Sequence, residues 1–194
     1  MNLMKDITIF PVTSDQLQDF QTLFGTRGAC GGCWCMYWRL SHSVYQEQKG
    51  DKNRDAMSEI IHNGTVPGII GYIDEKPVGW CSVAPRDDFP RLERSRILKK
   101  IDDNSVWSIV CLFVDKSFRN RGISVEMLKA AVAYVKDKDG KIVEGYPVEP
   151  KKGKDTIPPV FAYTGIASAF IKAGFREVER RSETRPIMRY YIED

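Results

Sequence analysis

Apolar positions along this chain follow two rhythms. Short runs, alternating or unbroken, recur at Ile7 to Val12, Gly68 to Ile73, Val78 to Ala84, Ile109 to Val114, Lys141 to Tyr146, Phe175 to Arg181 and Ile187 to Ile192, and read as strands. Between them lie segments whose apolar residues fall three and four apart. These predict a helix capped by Thr13 or Ser14 and running through Phe20 and Leu23, and another over Asn53 to His62 that buries Met57, Ile60 and Ile61 and stops at Gly64. Two more helices are expected later in the chain, one beginning at Gly122 and one near Thr164 to Ala173. Asp74-Glu75-Lys76-Pro77 joins two strands into an antiparallel hairpin, Arg86 to Asn104 is polar with short helical turns, and a proline- and lysine-rich loop runs to Pro159. No repeat interrupts the pattern, which predicts an α/β (α+β) domain with a mixed sheet and helices on both faces.

The run from Ile109 to Val114 is apolar on both faces, so it belongs in the centre of the sheet and not at an edge. It leads through Asp115-Lys116-Ser117-Phe118 into Arg119-Asn120-Arg121-Gly122-Ile123-Ser124 and a long helix. That helix turns Val125, Leu128, Val132 and Val135 inward and leaves Glu126, Lys129 and Lys136 in water. Its first turn has N–H groups without intrahelical partners and the positive end of the dipole, a suitable seat for phosphate. The three glycines of a dinucleotide fingerprint and the Gly-Lys-Ser/Thr of a P-loop are both missing.

The spacing Arg119-x-x-Gly122-x-Ser124 after a buried strand resembles the Gln/Arg-x-x-Gly-x-Gly/Ala signature of the GNAT superfamily of acyl-CoA N-acyltransferases. The elements beyond this turn are also in that family's order: a strand at Lys141, a helix, and the ending Ala173-Gly174-Phe175. The likeness extends from about Ile7 to Ile192 and implies one three-layer domain over residues 1–194, with a mostly antiparallel sheet of about six or seven strands. It implies acetyl-CoA as co-substrate: pyrophosphate on the N–H groups of Arg121, Gly122, Ile123 and Ser124, charge from Arg119 and Arg121 beside Asn120, and the pantetheine arm on the main chain of Leu112, Phe113 and Val114. The reaction would be direct attack of an amine on the thioester, with an N–H near Leu112 or Phe113 polarising the carbonyl.

The proton-transfer groups depart from the family pattern. Where members carry a strand-borne glutamate base this chain has Ser108, so a water relay through Ser108 or Glu144 is one reading. The family's tyrosine acid falls on Phe170, whereas Tyr163, seven residues earlier, is either the proton donor or a structural contact to the cofactor. These substitutions also fit a rival reading, a catalytically degenerate module that binds acyl-CoA or senses a ligand.

The segment Cys30-Gly-Gly-Cys33-Trp34-Cys35-Met36-Tyr37-Trp38-Arg39 lies outside the general pattern and resembles segments in a bacterial subset of GNAT-like proteins. Three unevenly spaced thiols with His42 as a fourth ligand would make a poor zinc cage. A plainer reading packs the thiols as small apolar groups beside Trp34 and Trp38; the reading adopted is that Trp34, Tyr37, Trp38 and Arg39 line the pocket of a small amine acceptor, with no metal. Cys81 and Cys111 fall in strands and read as core, and His62 as a helix-end residue.

Composition narrows the setting. A formal charge of +3 from 29 basic and 26 acidic residues makes a surface of mixed sign, which argues against nucleic-acid binding. The start of the chain lacks the apolar stretch of a signal peptide, no run is long enough to cross a bilayer, and five cysteines suit a reducing compartment. A cytoplasmic protein acting on a small molecule is expected, and a homodimer is compatible with it.

Overall fold

The computed structural model describes residues 7–154, 157 and 159–193. The first six residues and part of the proline- and lysine-rich loop lie outside the described residues. Among the described residues seven strands form one sheet: β1 (Thr8–Pro11), β2 (Ile69–Ile73), β3 (Lys76–Pro85), β4 (Trp107–Val114), β5 (Ile142–Gly145), β6 (Arg176–Arg180) and β7 (Pro186–Tyr191). Their order is β1-β2-β3-β4-β5-β7-β6, so the unbroken apolar run is the central strand, as its pattern requires. All pairings are antiparallel except β4 with β5. The β2–β3 hairpin closes on Asp74 and Glu75, both at positive φ (49° and 62°), which gives the backbone twist a two-residue hairpin loop needs.

Helices α1 (Leu17–Phe24) and α3 (Asp51–His62) cover one face, where Phe20, Phe24, Met57 and Ile61 pack with Ile70 and Trp80. Helices α5 (Ile123–Lys136) and α6 (Ala167–Lys172) cover the other, with Met127, Leu128, Ala131, Val135 and Phe170 against Val78, Ile109 and Val143. A short helix α2 (His42–Gln48) has no counterpart in the apolar pattern, because its only buried residue is Tyr45 and a single apolar position carries no periodicity. The turn α4 (Pro90–Glu93) falls in the polar segment.

On α5 the buried stripe is Ile123, Met127, Leu128, Ala131 and Val135, while Val125 and Val132 are only partly covered. Met127 turns the helix slightly from the expected stripe: its sulfur fills the space over Gly71 and Gly79, where neither strand has a side chain.

Candidate active site

At the C-terminal end of β4 the chain passes through a short 3-10 turn, where Asp115 Oδ1 accepts from the Ser117 N–H at 2.8 Å, and enters α5 at Gly122. Gly122 is the N-cap in the left-handed region (φ 79°), and Asn120 is also at positive φ (61°). A residue with Cβ at Gly122 would strain the turn and narrow the approach to the main chain. Within the described residues the N–H groups of Arg121, Gly122, Ile123 and Ser124 have no hydrogen-bond acceptor; the first N–H donated back to Gly122 is that of Val125, at 2.9 Å. Arg119 donates through Nε to the Val114 carbonyl at 3.0 Å, and Arg121 lies over the Phe118 ring; neither pairs with a carboxylate among the described residues. The turn thus has four open donors, two guanidinium groups and a helix dipole converging on exposed space, which fits a pyrophosphate.

Beside the turn the sheet splays. β5 pairs with β4 only over Trp107, Ser108 and Ile109, leaving the rest of that β4 edge without a neighbouring strand. The edge is not fully open, because the Leu112 N–H donates to the Tyr163 carbonyl at 2.7 Å. On its other edge β4 carries a bulge: Ser82 pairs with Cys111 and Val83 with Ile109, so Val110 is an extra residue outside the β3 ladder. No sequence signal marks Val110, since a bulge leaves an apolar run apolar. Tyr163 is partly buried, and that burial holds its phenol well above the usual tyrosine range.

The family model described as "Acetyltransferase (GNAT) family" matches residues 34–146, which span β2 to β5 and include the turn. The chain belongs to the GNAT acetyltransferase family. It is accordingly an acyltransferase. Among solved structures it is similar to a PaiA N-acetyltransferase from Thermoplasma acidophilum in complex with coenzyme A, with a TM-score of 0.53 and 14% identity over 96% of this chain and 99% of that one. A GNAT acetyltransferase from Listeria monocytogenes gives 0.58 at 8% identity over 96% and 95%. An aminoglycoside N-acetyltransferase in complex with CoA gives 0.54 at 16% identity over 94% and 95%. At such identities the likeness is one of fold. A search of curated proteins by sequence finds no match.

Ser108 and Glu144, the GNAT chain's two relay candidates, meet in a buried charge network. Ser108 Oγ lies 2.8 Å from the Tyr146 hydroxyl, which donates to Glu144 Oε1 at 2.7 Å. Arg86 Nη1 donates to the same oxygen at 3.0 Å, and Arg189 Nε donates to Oε2 at 2.7 Å. Glu93 and Asp102 hold the outer sides of the two arginines. Glu144 is 1% exposed with three donors around it, an arrangement that locks its carboxylate in place. Burial first, then the Glu144 charge, holds the Tyr146 phenol well above its usual range.

The cysteine-tryptophan segment divides. Trp34 does not line a pocket: it is buried against Phe20 and stacked on Phe24 at 5.6 Å, and Gly28, at φ 57°, presses so closely on its ring that a Cβ there would overlap it. Cys35 is also in the core, accepting from Trp80 Nε1 at 3.1 Å. Arg39, expected as an acceptor contact, is instead clasped by Asp88 at 3.4 Å and the Pro67 carbonyl and lies over Phe89. Burial outweighs the charges of Asp88 and Cys35 and lowers its pKa. Only Tyr37 and Trp38 reach a cleft, about 290 Å3 in volume, closed on the other side by His42, Arg91 and Arg94. Tyr37 touches Tyr163 edge to face at 6.0 Å, so the cleft borders the splay. Among the described residues no group of three or more His, Cys, Asp or Glu is arranged to hold a metal. No helix there is long and apolar enough to cross a membrane.

Proposed function

We propose that this acyltransferase, acting as one domain, moves an acetyl group from acetyl-CoA to the amine of a small molecule. The observation that carries the reading is the run of four open N–H groups from Arg121 to Ser124 at the start of α5, beside a splayed β4 edge. In this reading the turn holds pyrophosphate, and the pantetheine arm lies along Leu112, Phe113 and Val114, displacing the Tyr163 carbonyl from the Leu112 N–H. Bound acetyl-CoA supplies an activated thioester. The amine nitrogen, entering neutral, forms the new C–N bond as the C–S bond breaks, and the nitrogen's proton leaves to water. Tyr163, whose phenol like any tyrosine's is protonated at neutral pH and is held further in that form by burial, gives its proton to the departing thiolate and regains one from solvent. Val110, at the bulge, is a candidate for polarising the carbonyl oxygen. Ser108 and Glu144 take a positioning role, through Tyr146, in place of the relay.

The five cysteines, all unpaired, support a reducing cytoplasmic setting. Titration calorimetry with acetyl-CoA and with free coenzyme A, together with thiol release in the presence of amines, tests the assignment. Binding of both ligands and amine-dependent thiol release are expected. Absence of binding by either ligand overturns it.

A further inference from the structure

We infer that the acceptor carries an anionic oxygen group, a carboxylate or phosphate, several bonds from its amine, and that this group docks in the cleft lined by Tyr37, Trp38 and Arg91. This rests on the acyl-transfer reading and names its substrate class.

Outside the phosphate turn, arginines without carboxylate partners gather at the cleft. The guanidinium groups of Arg39, Arg86 and Arg189 all face carboxylates. Arg91 and Arg94, which line the cleft, and Arg185, which lies in the field of Tyr37 and Tyr163, have no carboxylate partner among the described residues, and no acidic residue lines the cleft. Arg91 is held rigidly for a polar role: it stacks 3.8 Å above the Tyr37 ring, donates through Nη1 to the Tyr37 carbonyl at 3.2 Å, and reaches His42 Nδ1 at 3.1 Å. Because a guanidinium only donates, His42 Nδ1 accepts and its proton sits on Nε2. That leaves a preorganised cation with remaining donor capacity for an oxyanion.

A second donor waits beside it. Trp38 is 8% exposed and lines the same cleft, and its indole N–H, itself buried, has no hydrogen-bond partner among the described residues. An indole N–H can only donate, so any group that satisfies it must bring an acceptor atom, as an anionic oxygen does. Arg185 donates to Thr164 Oγ1 at 3.0 Å and sits in the field of Tyr163 and Tyr37; burial lowers its pKa, an effect an incoming anion would offset. Tyr37 separates Arg91 from Tyr163, so an anion at Arg91 and an amine near Tyr163 belong to opposite ends of a short molecule.

The test is a set of ω-amino acids of increasing length, from glycine to 6-aminohexanoate, each compared with the n-alkylamine of equal length. 3-Aminopropylphosphonate separates phosphate-like from carboxylate recognition, and spermidine is the cationic control. Thiol release from acetyl-CoA is the readout. An ω-amino acid or the phosphonate should exceed its alkylamine at least about tenfold in kcat/KM, and Arg91→Gln should remove that advantage while leaving the alkylamine and the coenzyme Kd within about twofold. Because Arg91→Gln also loses the bond to the Tyr37 carbonyl, Arg94→Gln, which breaks no side-chain hydrogen bond among the described residues, gives a second variant expected to act in the same direction. Equal or better turnover of alkylamine or spermidine, unaltered by either variant, overturns the inference and leaves the acetyltransferase reading standing. If no amine turns over although acetyl-CoA binds, the proposed function falls. Tryptophan fluorescence of the CoA-loaded protein then decides the subsite: a response to 6-aminohexanoate that Arg91→Gln weakens supports it, and no response overturns it.

Discussion

Glu144→Gln separates architecture from chemistry in the buried network. The carboxylate faces Arg86 at 3.0 Å and Arg189 at 2.7 Å, each contact being worth about 5–6 kcal/mol of gross attraction at an effective dielectric near 20. Most of that is offset by the desolvation of three ions, and removing one partner from a buried pair costs about 3–5 kcal/mol, chiefly because the charges left behind are uncompensated. Here Asp102 still holds Arg189 and Glu93 still holds Arg86, and the amide oxygen of glutamine keeps one acceptor. The lower end applies, about 3 kcal/mol. For a domain of this size that is a fall in Tm of about 6–12 °C. Urea unfolding monitored by tryptophan fluorescence, paired with single-turnover acetyl transfer on the folded fraction, measures both quantities. The expected result is a lowered midpoint with the chemical rate kept within about threefold. An unchanged midpoint with turnover lost would refute the argument and make Glu144 a participant in proton transfer.

Gly122→Glu should abolish coenzyme A binding by calorimetry while circular dichroism stays near wild type and stability falls by only about 1 kcal/mol from the left-handed backbone, and retained binding would mean the phosphate seat lies elsewhere. Gly28→Ala, at φ 57° against the Trp34 ring, should lower stability by about 1–3 kcal/mol in urea titration, and a neutral result would show that the loop relaxes freely. Burial, followed by the Cys35 charge, pushes the Cys33 thiol up to about 11, so its thiolate fraction at neutral pH is small and grows only as pH approaches that value. Cys30 is the exposed thiol, so an aromatic disulfide reagent at about pH 7.5 should titrate one fast thiol per folded chain and five after denaturation; two or more fast thiols would contradict this.

Much of the framework is legible in the sequence because its signals are local. The seven apolar runs match the seven strands within a residue or two, and the Arg119 to Ser124 spacing locates the turn because phosphate seats need consecutive open N–H groups at one helix start. What escapes depends on long separations. The Arg86–Glu144 and Arg189–Asp102 contacts join residues 58 and 87 positions apart, and nothing in either neighbourhood names its partner. The cysteine-tryptophan segment misleads in part for a different reason. Composition gives no direction, and alternating positive φ at Gly28, Ala29, Gly31, Gly32, Trp34 and Cys35 sends adjacent aromatics to opposite sides, Trp34 inward and Tyr37 to the cleft. Arg91, ordinary within a polar stretch, stands out only once its ring partner is known.

The bond from Leu112 to the Tyr163 carbonyl changes how coenzyme recognition should be apportioned. A bare strand edge invites pairing with other chains, and this bond gives part of the β4 edge a partner within the molecule. A ligand that lays its own carbonyl there exchanges one hydrogen bond for another and gains little from that contact. Affinity must then come mostly from the far end of the molecule, where the donors of the α5 turn have no partner to give up. Short pantetheine thioesters would on this basis be poor acyl donors through weak binding, and the nucleotide end, remote from the bond being broken, would set how often the slot opens.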